Sequence, residues 1–308
     1  MVIEISVIIP LYNKQDFILQ TLKSVFFQDV NNWECIIVDD GSTDASLKLV
    51  NDFCATYKGN WKIISIPNGG QTRARNAGIR AATGRYLSFL DADDLWVRNK
   101  LSKQFDFLEA NPEIVGVLSN YAIFKSNSKR IRVIRGLNFD VMLRKWANMS
   151  GFGGGLESVG MVRNFAGDPK VLFDESLSTS SGLDYAVRFA QFGEMFLLKD
   201  IGMLYRLSDG QWHTNSEELK RNTSIISKKF SGYFGEDLST HHDDYFHWIE
   251  VRKHGHIHFL GEIISDLKNL RILRLKMLFW LLSRNLVALM RGRISRNLTL
   301  RHIKQIQG

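Results

Sequence analysis

The sequence predicts an α/β fold: a doubly wound, Rossmann-like sheet flanked by helices, followed by a helical, basic C-terminal extension. Three observations predict it. Four β-rich runs alternate with helix-like stretches within roughly the first 110 residues, and each run ends in polar residues. The charge is also unevenly divided. Residues 1–219 carry 24 Lys plus Arg against 25 Asp plus Glu, whereas residues 220–308 carry 16 against 7.

Ile5-Ser6-Val7-Ile8-Ile9 is a β-rich run ending at Pro10. Tyr12-Asn13-Lys14 then leads into a helix with Ile18, Leu22 and Val25 on one face. Cys35-Ile36-Ile37-Val38 reads as a buried strand that runs into Asp39-Asp40-Gly41-Ser42-Thr43-Asp44, and Ser42 or Thr43 is expected to cap the next helix. Trp61 to Ile66 is a third strand. Asn68-Gly69-Gly70 turns it into a helix from Thr72 to Ala82 that carries Arg73, Arg75 and Asn76. The fourth strand, Tyr86 to Leu90, ends in Asp91-Ala92-Asp93-Asp94 and precedes a helix expected from about Val97 to Leu108. Taken alone, those carboxylates suit a hard divalent cation or the cap of that helix.

Further along, Val115 to Phe124 reads as a strand and Lys125 to Arg135 as an exposed basic hairpin. Gly182-Leu183-Asp184 opens an amphipathic helix, and Leu204 to Leu207 is strand-like and leads to Gln211-Trp212-His213. The reading divides the chain into a domain over residues 1–215 and a helical, basic region over 216–308. Leu267 to Gly308 holds ten basic residues and no acid. Its apolar centre, Met277 to Met290, reaches only about 21 Å as a helix against a hydrocarbon layer of ~30 Å. Two readings stay open for it: a helix lying in an anionic membrane interface, or one packed on the main domain. Two cysteines and no visible signal peptide predict a reducing, cytoplasmic setting, peripheral on the cytosolic membrane face.

The strand ends assemble one constellation: Asp39 and Asp40, then Arg73, Arg75 and Asn76, then Asp91 and Asp93. A nucleotide diphosphate needs a carboxylate for base or ribose, cations near the pyrophosphate, and acid-held metal between the phosphates. This rim carries all three. Gly151-Phe152-Gly153-Gly154-Gly155-Leu156 lacks the final small residue and following helix of a dinucleotide loop, and no Walker A lysine motif is present. Without aromatics interleaved among its basic residues, the tail is not expected to bind nucleic acid.

Four stretches, Val7-Ile8-Ile9-Pro10-Leu11-Tyr12-Asn13, Ile37-Val38-Asp39-Asp40-Gly41-Ser42-Thr43-Asp44, Ala74-Arg75-Asn76-Ala77-Gly78 and Leu90-Asp91-Ala92-Asp93-Asp94, resemble the motifs of the inverting family 2 glycosyltransferases. The resemblance implies a GT-A fold, a mixed Rossmann-like sheet flanked by helices. It also implies transfer of a sugar from a nucleotide-sugar donor, a UDP-sugar, to a lipid-linked or polysaccharide acceptor. By the same resemblance Pro10 and Tyr12 line the nucleotide pocket, Asp39 reads the uracil edge, and Arg75 lies near ribose or diphosphate. Asp91 lies nearer the ribose, and Asp93 is the direct ligand of Mn²⁺ or Mg²⁺. His213 either touches the diphosphate or metal or is a surface-loop histidine. The family's base position falls on Gly182, a departure, so Asp184 two residues later is the candidate base, with Asp174, Glu175 and Glu157 as alternatives. The departure keeps a second reading open, a donor-binding protein without catalysis. A sugar-nucleotide pyrophosphorylase is disfavoured, because Pro10-Leu11-Tyr12-Asn13 stands where those enzymes carry a Gly-rich basic loop.

Overall fold

Strand β1 (Ile5–Leu11) pairs in parallel with β2 (Trp33–Asp39) and with β4 (Tyr86–Phe89), and β2 pairs in parallel with β3 (Trp61–Ser65). The structure is a computed structural model, and it describes residues 2–125, 131–134, 156–165, 168, 172–177, 181–207 and 216–230. Every residue of β2 is buried, as are all of β1 except Pro10, as expected of central parallel strands covered on both faces. Helices α1 (Ile18–Phe26), α2 (Ser46–Thr56) and α3 (Gln71–Ala81) are the crossovers. Ile18, Leu22 and Val25 of α1 are fully buried, the stripe that the spacing predicts.

The later elements turn the sheet into a mixed one. They are β5 (Leu95–Trp96), α4 (Lys100–Ala110), β6 (Ile114–Lys125), β7 (Ile131–Ile134), α5 (Leu156–Val159), β8 (Gly160–Arg163), α6 (Ser181–Phe189), β9 (Glu194–Leu207) and α7 (Ser216–Lys229). Among the described residues the strands run in the order β3-β2-β1-β4-β8-β6-β9-β5, with β7 on β6. Strand β8 is antiparallel to β4 and β6, and β9 runs parallel to β6. Among the described residues the edges of the main strand path are β3, which is half-exposed, and β5, which has two residues; β7 pairs only with β6. Met1–Phe230 is one compact unit; the second, Ser231–Gly308, lies outside the described residues, as does the basic tail.

Two local differences from the sequence reading have physical causes. Leu95 and Trp96 were expected to precede a helix beginning near Val97, but they form β5 against Met203 and Leu204 of β9, and the helix starts at Lys100. Both side chains are buried, and the Trp96 indole donates to the Ser158 carbonyl, so their apolar surface goes to the sheet. The four-residue helix α5 was not anticipated after the glycine run.

The turn into β4 is tied down from below. Buried Glu34 on β2 accepts from the Ser6 hydroxyl at 2.6 Å and from the Thr83 amide at 2.7 Å, while the Gly84 amide donates to Ser6 Oγ at 2.8 Å. Burial pushes the Glu34 carboxyl upward, but these hydrogen bonds outweigh it and leave the group below its ordinary range. Gly84 passes so close to β1 that a Cβ would lie 2.7 Å from the Ser6 nitrogen and 2.8 Å from the Ile5 carbonyl carbon. Backbone cannot rotate out of the way. Gly84→Ala is therefore expected to destabilise the protein by on the order of 2 kcal/mol, read as a lowered urea midpoint. An unchanged midpoint would contradict this packing.

Candidate functional site

The ends of β1, β2 and β4 meet the start of α3 at one edge of the sheet. Two loops are laced together there. Asn13 takes a left-handed backbone (φ 49°), which an Asn tolerates, and its side-chain oxygen accepts from the Thr43 amide at 2.8 Å. The Asn13 amide donates to Ser42 Oγ and the Lys14 amide to Ser46 Oγ at 2.7 Å. Ser42 and Thr43 thus serve the β1 loop and do not cap α2, as the sequence reading expected; Asp44 accepts from the Ser46 amide at 2.9 Å instead. Tyr12 stands 46% exposed beside this lacing, and Pro10 lies at the end of β1.

The two acids ending β2 have different surroundings. Asp40 accepts from the Gly69 and Gly70 amides, both at 2.8 Å, and so holds the Asn68-Gly69-Gly70 turn. Asp39 is buried and accepts from the Ser42 amide at 3.2 Å. On α3, Arg75 is buried over the Phe173 ring and donates to Asp91 Oδ1 at 2.6 Å. Arg73 is exposed. Asn76 instead ties down a neighbouring segment: it donates to the Phe173 carbonyl and accepts from the Phe173 amide at 2.7 Å. Of the expected constellation, Asp40 and Asn76 hold neighbouring backbone, Asp39 is buried against the Ser42 amide, Arg75 pairs with Asp91, Asp93 pairs with Lys14, and Arg73 is exposed.

The three carboxylates after β4 are held in three ways. Asp91 pairs with Arg75, and Asp93 pairs with Lys14 Nζ at 2.6 Å. Asp94 is fully buried, and its Oδ1 accepts from the Arg206 amide at 2.8 Å, so it does not cap a helix. Burial, then the charges of Asp93 and Asp91, push the Asp94 carboxyl well up and favour its neutral form. Arg206 on β9 lies between the rings of Phe17 and Phe124, donates to the Asp93 carbonyl at 2.7 Å and to Gln20 at 2.9 Å. The Thr21 hydroxyl sits 2.9 Å from the carbonyls of both Ala92 and Asp94. Burial, then Asp94, Asp91 and Asp93, push the neighbouring Tyr205 hydroxyl up.

Lys14, Thr21 and Arg206 were not singled out from sequence. Arg206 left a signal: a cation inside Leu204-Tyr205-Arg206-Leu207 must find acceptors if the strand is buried. Among the described residues no three His, Cys, Asp or Glu side chains are grouped to hold a metal ion. Asp91 and Asp93 still fit a cation of the Mg²⁺ or Mn²⁺ type, which takes one or two carboxylates and leaves its other positions to phosphate and water. His213 lies outside the described residues.

Asp184 is in the first turn of α6 with its side chain fully buried. Its Oδ2 accepts from Arg188 Nε at 2.8 Å and its Oδ1 from Lys229 Nζ at 2.7 Å, which ties α7 to α6. Lys229 also reaches Asp174 Oδ2 at 3.0 Å. Burial draws the Lys229 ammonium down, but its bonds to Asp184 and Asp174 outweigh that and raise it. The Ser176 hydroxyl first, with Lys229 after it, lowers Asp174 to about 2.

The sheet is mixed, and its strand ends bring carboxylates and a buried arginine to one edge. Residues 6–166 match glycosyl transferase family 2, and the chain belongs to that family. It is 40% identical over 124 residues to the UDP-Glc:alpha-D-GlcNAc-diphosphoundecaprenol beta-1,3-glucosyltransferase WfaP of Escherichia coli, covering 39% of this chain and 47% of that one. It is also 40% identical over 104 residues to the putative teichuronic acid biosynthesis glycosyltransferase TuaG of Bacillus subtilis, covering 34% and 41%. In both comparisons the chain spans under half the length of its relative. The crystal structure of S. aureus TarS 1-349 in complex with UDP-GlcNAc superposes with a TM-score of 0.59 at 20% identity, over 79% of this chain and 70% of that one. That likeness is one of fold, and the fold is GT-A. Among the described residues no helix is long and apolar enough to cross a membrane.

The Asp174 contacts carry a pH prediction. A carboxyl lowered by folding adds stability that is present above its unfolded pKa and is lost as pH falls toward its folded value. Asp174→Asn should lower the urea midpoint at pH 6, by at most about 1 kcal/mol because the pair is a third exposed. The gap to wild type should shrink between pH 4.5 and pH 3, and a gap constant with pH would refute the ion pair's role.

Proposed function

We propose that this chain is a divalent-cation-dependent, inverting glycosyltransferase. Its donor is a nucleotide-sugar, a UDP-sugar in the first instance, and its acceptor a lipid-linked glycan or polysaccharide at the cytosolic face of a membrane. The observation that carries the reading is the rim itself: Tyr12 and Asp39 on one side, the Arg75–Asp91 pair in the middle, and Asp93 at the end of β4. Tyr12 and Pro10 border the base, Asp39 accepts from its N–H edge, and Arg75 with Asp91 addresses ribose and diphosphate. Asp93, with Asp91 and His213 as further candidates, would hold Mn²⁺ or Mg²⁺, and such a cation would neutralise charge on the leaving diphosphate. WfaP is a UDP-Glc:alpha-D-GlcNAc-diphosphoundecaprenol beta-1,3-glucosyltransferase, which supports the donor and acceptor classes. TuaG supports a cell-surface polysaccharide.

The acceptor oxygen attacks the anomeric carbon while the bond from that carbon to the diphosphate breaks, and the electron pair leaves with the nucleoside diphosphate. The acceptor proton goes to a carboxylate, for which Asp184 is the candidate. Asp184 must first shed Lys229, because both its oxygens are engaged. That closure favours a second reading, a protein that binds the donor and does not transfer it. Residues 1–215 are assigned to the transferase domain and 216–308 to a region that docks on an anionic membrane surface.

A donor screen by UDP release, with and without Mn²⁺, decides between these readings. Asp93→Asn is expected to lower kcat/KM by about 10²-fold or more; a rate unaffected by this change and by chelation would remove the metal mechanism. Asp184→Asn should lower kcat by about 10²-fold or more with the donor KM intact. Donor binding without release across a panel of acceptors would establish the second reading.

A further inference from the structure

Asp91 and Asp93 of the acidic loop have unlike partners. Asp91 is held by Arg75, whose side chain is 1% exposed and enclosed within the fold. Asp93, with a side chain only 8% exposed, is held by Lys14, whose side chain is 33% exposed and stands at the mouth of the site. One cation is locked in place; the other has solvent to retreat into. The Lys14 backbone, by contrast, is fixed. Its amide donates to Ser46 Oγ at 2.7 Å, and its carbonyl accepts from the Phe17 and Ile18 amides at 3.0 and 2.9 Å. The left-handed turn at Asn13 just before it is pinned to Thr43. The ammonium is therefore delivered to Asp93 by an ordered loop, and only the side chain is free to move.

We propose that Lys14 is a built-in counter-ion of Asp93 that competes with the divalent cation, so that the cation binds only when the lysine leaves. The inference rests on reading Asp93 as the metal ligand. Its physical basis is that Oδ2 carries the ammonium at 2.6 Å. A doubly charged ion bonded to the same carboxylate would lie within about 4–5 Å of that ammonium, where like charges repel strongly beside low-dielectric protein. Without nucleotide, Lys14 and Arg75 together balance Asp93 and Asp91 and leave little net attraction for a cation. Arriving phosphates attract the ammonium as well as the metal, so lysine release links cation binding to nucleotide binding.

The test is Mn²⁺ binding to the full chain without nucleotide at low ionic strength, followed by the electron paramagnetic resonance signal of the free ion. Lys14→Met is expected to tighten the Asp93-dependent site about three- to tenfold, and Lys14→Arg to leave it near wild type. Lys14→Gln, which keeps a hydrogen-bond donor without the charge, provides the same reading if Lys14→Met does not fold. Asp93→Asn, and Asp93→Asn combined with Lys14→Met, define which binding belongs to Asp93. If Asp93→Asn weakens binding but Lys14→Met and Lys14→Gln leave it equal to or weaker than wild type, competition is refuted and the metal role of Asp93 stands. If Asp93→Asn changes nothing, the metal reading fails and the inference falls with it.

Discussion

Three carboxylates in four residues, at the end of a buried strand, repel one another, and much of the fold is arranged to answer that repulsion. Asp91 receives a buried guanidinium from α3, Asp93 an ammonium from the loop after β1, and Asp94 is buried where the neutral acid is favoured. Each answer recruits a different element. Arg75 needs α3 packed on the sheet, Lys14 needs the lacing between Asn13 and Thr43, and Arg206 needs β9 to return beside β5. Arg206 then fixes the loop by both its amide and its guanidinium.

The first half of this design was legible in the chain because it is local. Buried parallel strands write themselves as apolar runs, and their polar exits fall in sequence just where the sheet edge falls in space. That rule placed Asp39, Asp40, Asp91 and Asp93 at one sheet edge, and the turn after β3 brought Arg73, Arg75 and Asn76 beside them. The rule did not separate Asp39 from Asp40 or Arg75 from Asn76, since neighbouring residues at a strand end or on a helix point in different directions. It also missed contacts between residues distant in sequence: Lys14 with Asp93, and Arg206 with Asp94 more than a hundred residues away. Helix α4 was misplaced because Leu95 and Trp96 pair with a strand that arrives much later in the chain.

The acceptor side follows a different logic. Gly182 offers no carboxylate, and Asp184 is enclosed by Arg188 and Lys229, so the carboxylate proposed as the base is also a joint between α6 and α7. A group that holds helices together and a group that exchanges protons make opposed demands on the same oxygens: one favours permanent partners, the other a vacant lone pair. Proton transfer at Asp184 would therefore require at least the Lys229 side chain at the end of α7 to leave it.

The edges at β3 and β5 bear on how the molecule meets its neighbours. Strand β5 is two residues long, too short to template a further strand, and on β3 Lys62 reaches across to the Ala81 carbonyl. A short edge and a lysine on an edge are both ways of discouraging strand addition. At these two edges the sheet resists addition of a strand from another chain, which matters while the apolar strands β1 and β2 are still exposed during folding.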